Sequence, residues 1–134
     1  MNLNNEKIEL IKDCNADGAE IKTSKFRGVI SECDFESSEF VQTNLSGNHF
    51  ERSDMSGDHF EEVDLSAAAF ERSDMSAAHF EEVDLAAATF EGSDLCGARF
   101  NDVYIAGAVI CDSDLTGVEI SNCKLDGMTI DGFN

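Results

Sequence analysis

From Ile30 to Ile130 every fifth residue of the chain is Ile, Leu, Met or Phe, at all 21 positions, and outside this frame the same stretch holds one such residue, Met128. A period of five matches neither the 3.6 residues of a helical turn nor the two-residue alternation of a strand. On an α-helix, steps of five would carry the apolar residues around the cylinder by about 140° each and leave no stripe. On a flat strand they would fall on alternate faces. The spacing predicts a chain that turns a corner every five residues and points one large side chain inward per side. Four such sides close a square coil of 20 residues.

The sequence repeats at that longer period. His49-Phe50-Glu51-Arg52-Ser53-Asp54-Met55-Ser56 returns as Ala69-Phe70-Glu71-Arg72-Ser73-Asp74-Met75-Ser76, and Phe60-Glu61-Glu62-Val63-Asp64-Leu65 returns as Phe80-Glu81-Glu82-Val83-Asp84-Leu85. The units Ser53-Asp54-Met55-Ser56-Gly57, Val63-Asp64-Leu65-Ser66-Ala67 and Ser93-Asp94-Leu95-Cys96-Gly97 resemble the A(D/N)LXX units of the pentapeptide-repeat family. The resemblance covers about residues 29–132 in one frame, and the weaker units Ala19-Glu20-Ile21 and Ser24-Lys25-Phe26 precede it. It implies an all-β fold, a right-handed quadrilateral parallel β-helix of about five to six coils. The step from Phe26 to Ile30 is four residues, so one residue is missing at a corner. We assign residues 19–134 to the β-helix and residues 1–18, which hold Ile8 and Ile11 but no five-residue frame, to an N-terminal cap that includes a short helix.

Sorting by 20 gives four inward ladders. Phe40, Phe60, Phe80 and Phe100 stack on one side and Phe50, Phe70 and Phe90 on the opposite one. Leu45, Leu65 and Leu85 fill the third side, and Met55, Met75 and Leu95 the fourth. Two residues before each centre the side chain also points inward and is small: Ala beside Phe, Val beside Leu, Ser beside Met. Large paired with small is what a core at crystal-like density needs. Asn48 and Asp58 break that rule, which predicts local distortion. At the far end Ile120, Leu125, Ile130 and Phe133 lack a polar cover, and a homodimer through these C-terminal coils is expected.

Charge sharpens the picture. The net charge is −19 over 134 residues, yet residues 1–27 hold five acidic and five basic side chains. The whole excess therefore lies in the repeats, with 23 acidic and four basic residues. A direct nucleic-acid binder needs a basic footprint, and an anionic membrane surface is excluded by the same sign. No apolar run approaches the ~18–20 residues of a membrane span, and no signal peptide is visible. The five cysteines form no CxxC pair, which fits reduced thiols in a cytoplasm better than a disulfide framework.

Catalytic and cofactor motifs are missing from the sequence, so no enzyme activity, cofactor or metal is assigned. His59 and His79 share one outward position a coil apart, near Glu61 and Glu81, and we take them as solvated surface histidines, since zinc sites usually gather three or four ligands. Cys33 and Cys123 occupy the small inward position as core fillers.

The acidic columns are the candidate binding surface. Asp34, Asp54, Asp74, Asp94 and Asp114 form a rail, with carboxylates ~4.8 Å apart, and Glu51, Glu71 and Glu91 form a parallel row. Further rows come from Asp64 and Asp84 and from Glu61, Glu62, Glu81 and Glu82, so that acidic residues occupy at least three sides. Stacked like charges repel. Aspartates at corners can accept hydrogen bonds from the local backbone, but this leaves the added glutamates unexplained. The resemblance implies a second role, because fluoroquinolone-resistance members of the family look like mimics of DNA bound by type II topoisomerases. The expectation is a rod that binds a basic protein surface, such as that of a DNA-binding protein. The alternative is a scaffolding repeat protein whose charge provides only solubility.

Overall fold

A computed structural model of the chain describes residues 10–12, 18, 20–22 and 28–131. The described residues form short strands in chain order: β1 (Leu10–Lys12), β2 (Glu20–Lys22), β3 (Val29–Ser31), β4 (Glu39–Val41), β5 (His49–Glu51), β6 (His59–Glu61), β7 (Ala69–Glu71), β8 (His79–Glu81), β9 (Thr89–Glu91), β10 (Arg99–Asn101), β11 (Val109–Cys111), β12 (Glu119–Ser121) and β13 (Thr129–Ile130). Odd-numbered strands stack into one sheet and even-numbered strands into another, all pairs parallel. The other two sides are narrower. Single parallel bridges run Asp34–Asp54–Asp74–Asp94–Asp114 on one, and Asn44–Asp64–Asp84–Tyr104–Lys124 on the other. The result is a four-sided β-solenoid.

The corners explain the five-residue period. One residue in five takes a positive φ: Glu62 at 54°, Ala67 at 57°, Arg72 at 50°, Ala77 at 57°. Left-handed backbone disfavours Cβ-bearing residues, and the corners that follow the aliphatic sides are small, as at Gly57, with φ 69°. Between corners each side is too short for more than one inward centre.

Register runs Ile30–Phe50–Phe70–Phe90–Ile110–Ile130 in steps of 20, which is five coils. Before it, Ile11 pairs with Ile30 and Ile21 with Phe40, in steps of 19. The residue missing between Phe26 and Ile30 thus appears as a shortened first coil. Leu10–Lys12 lies in the segment expected to be outside the frame, yet it is a strand in register with Val29–Ser31. The short helix expected in the cap is therefore corrected to a strand there, because Ile11 stands ten residues, two sides of the coil, before Ile21. Apart from Gly18, the rest of the expected cap, with Ile8, lies outside the described residues.

Inside, Phe40, Phe60, Phe80 and Phe100 stack with centroids 4.7–4.9 Å apart, and Phe50, Phe70 and Phe90 stack at 4.8–4.9 Å. Leu45, Leu65, Leu85, Met55, Met75 and Leu95 are buried beside them. The inward serines link coil to coil: Ser73 Oγ accepts the Ser53 N–H at 3.3 Å, and Ser93 Oγ accepts that of Ser73 at 3.3 Å. Cys33 is buried and Cys123 partly so, both packed with the core.

Asn48 and Asp58 are fully buried, and the register past them is unbroken. The distortion expected there does not occur. Asn48 Oδ1 accepts the Gly28 N–H at 2.8 Å, and Asp58 Oδ1 accepts that of Ser38 at 2.7 Å. One oxygen of each polar side chain is held by the backbone of the preceding coil, which offsets part of the cost of burial, while Asn48 Nδ2 is buried without a hydrogen-bond partner among the described residues.

Candidate protein-binding surface

The aspartate rail is built by corner hydrogen bonds. Each Asp precedes an inward centre and turns its Oδ1 toward the residue two positions on. The N–H of Ser56, Ser76, Cys96 and Thr116 each donates at 2.9 Å, to Asp54, Asp74, Asp94 and Asp114 respectively. Asp34 receives the Glu36 N–H at 3.1 Å. Where that residue carries a hydroxyl, it adds a second bond, at 2.6 Å for Ser56 and 2.7 Å for Ser76. On the neighbouring side Asp64 and Asp84 do the same with Ser66 and Ala86, each at 2.9 Å. For Asp114, the Thr116 hydroxyl and then the Thr116 N–H hold the carboxyl below its ordinary value.

The glutamates are held differently. Glu51, Glu71 and Glu91 end β5, β7 and β9 in register. Arg52 reaches Glu51 at 2.8 Å, and His49 Nε2 stands 3.2 Å from Glu71. This edge, with Arg52 and Arg72 at its corners, is partly compensated. The diagonally opposite edge has no arginine at its corners. Glu61 and Glu81 end β6 and β8, and the corner column there reads Gln42, Glu62, Glu82, Asp102 and Asn122. Gln42 Nε2 donates to Glu62 at 3.4 Å. The two remaining corner columns carry small residues such as Gly57 and Ala77, or Ala67 and Ala87.

Charge therefore runs along two diagonally opposite edges and along the aspartate columns of the two narrow sides, while the other two corner columns are themselves small and mostly uncharged. Residues 51–70 hold six carboxylates, of which Asp58 is buried, and one arginine. At ~4.8 Å rise per coil, four net surface charges amount to one per roughly 1.2 Å. Duplex DNA carries one per ~1.7 Å. The sequence pointed to the rail and the Glu51 row. It did not separate the edge with corner arginines from the edge without them, because the contrast depends on which residue occupies each corner.

At the last described coil, Ile120 is 42% exposed and Leu125 43%, while Ile130 is half-buried. Phe133 lies outside the described residues. Among the described residues no helix is long and apolar enough to cross a membrane. A groove of about 230 Å³, lined by His79, Arg99, Phe100, Asn101, Glu119 and Ser121, lies on the even-numbered sheet.

The family described as pentapeptide repeat region matches residues 19–100 of the sequence. No curated protein matches it significantly. Among solved structures, QnrB1, described as a plasmid-mediated fluoroquinolone resistance protein, is 19% identical, with a TM-score of 0.46 over 96% of this chain and 75% of that one. Rfr23, a pentapeptide repeat protein of the cyanobacterium Cyanothece 51142, is 15% identical, with a TM-score of 0.38 over 91% of each chain. HetL of Nostoc sp. strain PCC 7120, described as involved in heterocyst differentiation regulation, is 13% identical, with a TM-score of 0.38 over 99% of this chain and 92% of that one.

Proposed function

The chain belongs to the pentapeptide repeat family, and from that premise we propose that it is a non-enzymatic, acidic binding rod of the cytoplasm whose carboxylate edges engage a basic protein surface in the manner of duplex DNA. One observation carries the reading: carboxylate columns stacked along two opposite corners and two sides of a narrow rod, with a linear charge density close to that of DNA. Glu61, Glu62 and Glu82 on the edge without corner arginines are the strongest contacts, and Glu51, Glu71, Glu91 and the rail from Asp34 to Asp114 extend the surface. The partner class is a DNA-binding protein, such as a type II topoisomerase. A second copy docking through Ile120, Leu125, Ile130 and Phe133 would lengthen the rod.

A scaffolding role is favoured by a different observation, the local hydrogen bonding of every aspartate on the rail. Aspartates that serve the corners need no partner. The test is competition with labelled duplex DNA for a type II topoisomerase. A DNA mimic displaces the duplex at low salt and loses potency steeply as salt rises, whereas a scaffold leaves the duplex bound at every salt concentration.

A further inference from the structure

His59 opens β6 and His79 opens β8, and these strands pair in register one coil apart. The two rings stack with centroids 4.9 Å apart and 6° between their planes. Glu81 follows His79 by two residues on the same strand, so its side chain leaves the same face of the sheet. The donor atoms of His59, His79 and Glu81 all lie within 4.8 Å of one another. His59 Nε2 is shut off from water and has no hydrogen-bond partner among the described residues. Glu81 Oε2 stands 3.6 Å from it, outside hydrogen-bond range. A buried polar atom left without a partner calls for an explanation, and a bound ion is one.

We propose that His59, His79 and Glu81 form a surface site for a divalent transition-metal ion of the zinc class. Two imidazoles and a carboxylate suit zinc, copper or nickel, whereas calcium and magnesium take oxygen ligands. Tetrahedral bonds of about 2.0–2.2 Å place donors roughly 3.4 Å apart. The three side chains are half-exposed and reach that spacing by rotation about their own bonds, while the parallel ladder holds their backbone fixed. The remaining coordination position is left to water. Local charge favours a cation: Glu61 stacks in register with Glu81, and such like-charge pairs repel. Arg99, next to His79 in the column, is drawn the other way, to Glu119 at 3.4 Å. The repeat aligned the two histidines near Glu61 and Glu81, where they read as solvated; the folded chain brings Glu81 to them and leaves a nitrogen unsatisfied. The site does not depend on the protein-binding role.

The test is calorimetric titration of the full chain with zinc chloride, in millimolar calcium to occupy scattered carboxylates. One zinc per chain is expected, with affinity lowered by about tenfold or more in His79→Asn and in Glu81→Gln. His49 lies on the other sheet against Glu71, and His49→Asn should bind zinc as the parent does. Ring-proton NMR of the unaltered chain gives the same answer without relying on a variant's folding: zinc should shift the signals of His59 and His79 and leave His49 in place. Equal binding by a chain carrying both His59→Asn and His79→Asn, or equal shifts at all three histidines, overturns the proposal.

Discussion

The Asp54 carboxylate folds back onto Ser56, whose N–H donates to Oδ1 at 2.9 Å and whose hydroxyl donates to it at 2.6 Å. Asn44 makes the same pair of bonds with Ser46, at 3.0 and 2.8 Å. A neutral amide oxygen therefore does the corner work as well as a carboxylate, and charge at these positions is separable from folding.

The separation gives a paired experiment. Asp54, Asp74 and Asp94 changed together to Asn should leave the melting temperature within a few degrees of the parent. Glu61, Glu62 and Glu82 changed together to Gln should also stay folded. If the edge without corner arginines binds the partner, the glutamine variant competes with DNA far less well than the asparagine variant. The salt dependence of competition should flatten with it, as screening lengths fall from ~10 Å at 0.1 M to ~3 Å at 1 M. Equal potency of both variants and the parent would remove the electrostatic mechanism.

Phe80 is 0% exposed and lies between Phe60 and Phe100, at 4.8 and 4.7 Å. Phe80→Ala opens a cavity in a stack whose backbone ladder prevents collapse. Destabilisation of about 3–5 kcal/mol is expected in chemical denaturation.

Asp114 carries an acid-side prediction. Its folded pKa is held below the ordinary 3.8 by the Thr116 hydroxyl first and the Thr116 N–H second. A depressed carboxyl pKa contributes stability that is present above the unfolded value and lost as pH falls through the folded one. Thr116→Val removes the larger cause. The Asp114 carboxyl should then titrate nearer its ordinary value by NMR, and the variant should lose less stability than the parent between pH 4 and lower pH.

Cys111 is paired in register with Glu91. Desolvation first, then the carboxylates of Glu91, Asp112 and Asp131, pushes its thiol up from the ordinary value. A smaller thiolate fraction means slower alkylation at neutral pH than in a free cysteine peptide. Glu91→Gln should speed the reaction, as followed by mass spectrometry of the Cys111 peptide.

The exposed Ile120 and Leu125 bear on assembly. If a second copy docks there, Ile120→Glu with Leu125→Glu should halve the mass measured by light scattering. A parent chain that is already monomeric rules the dimer out.

Much of the fold was legible in the sequence, because a solenoid makes the same local decision at every turn. One inward centre per five residues identifies the corner spacing, and the repeat at 20 aligns Phe60 with Phe80 and Asp54 with Asp74. The small inward serines were readable for the same reason. Ile11 was not placed in the frame, because the centre between it and Ile21 is the small Ala16 and one deleted residue breaks the phase before Ile30, and only the strand pairing of the coil restores it. Asn48 and Asp58 read as faults because the N–H groups that receive them belong to Gly28 and Ser38, one coil away.

By itself the sequence determined the period, the four inward ladders and the confinement of charge to the repeats, since each follows from which side chains can face the interior of a five-residue side. Only the tertiary structure decided which carboxylates are occupied by their own corners, which edge lacks arginine, and which third group meets His59 and His79. Those outcomes depend on distances between neighbouring columns and coils, and these exist only once the chain has closed around its core.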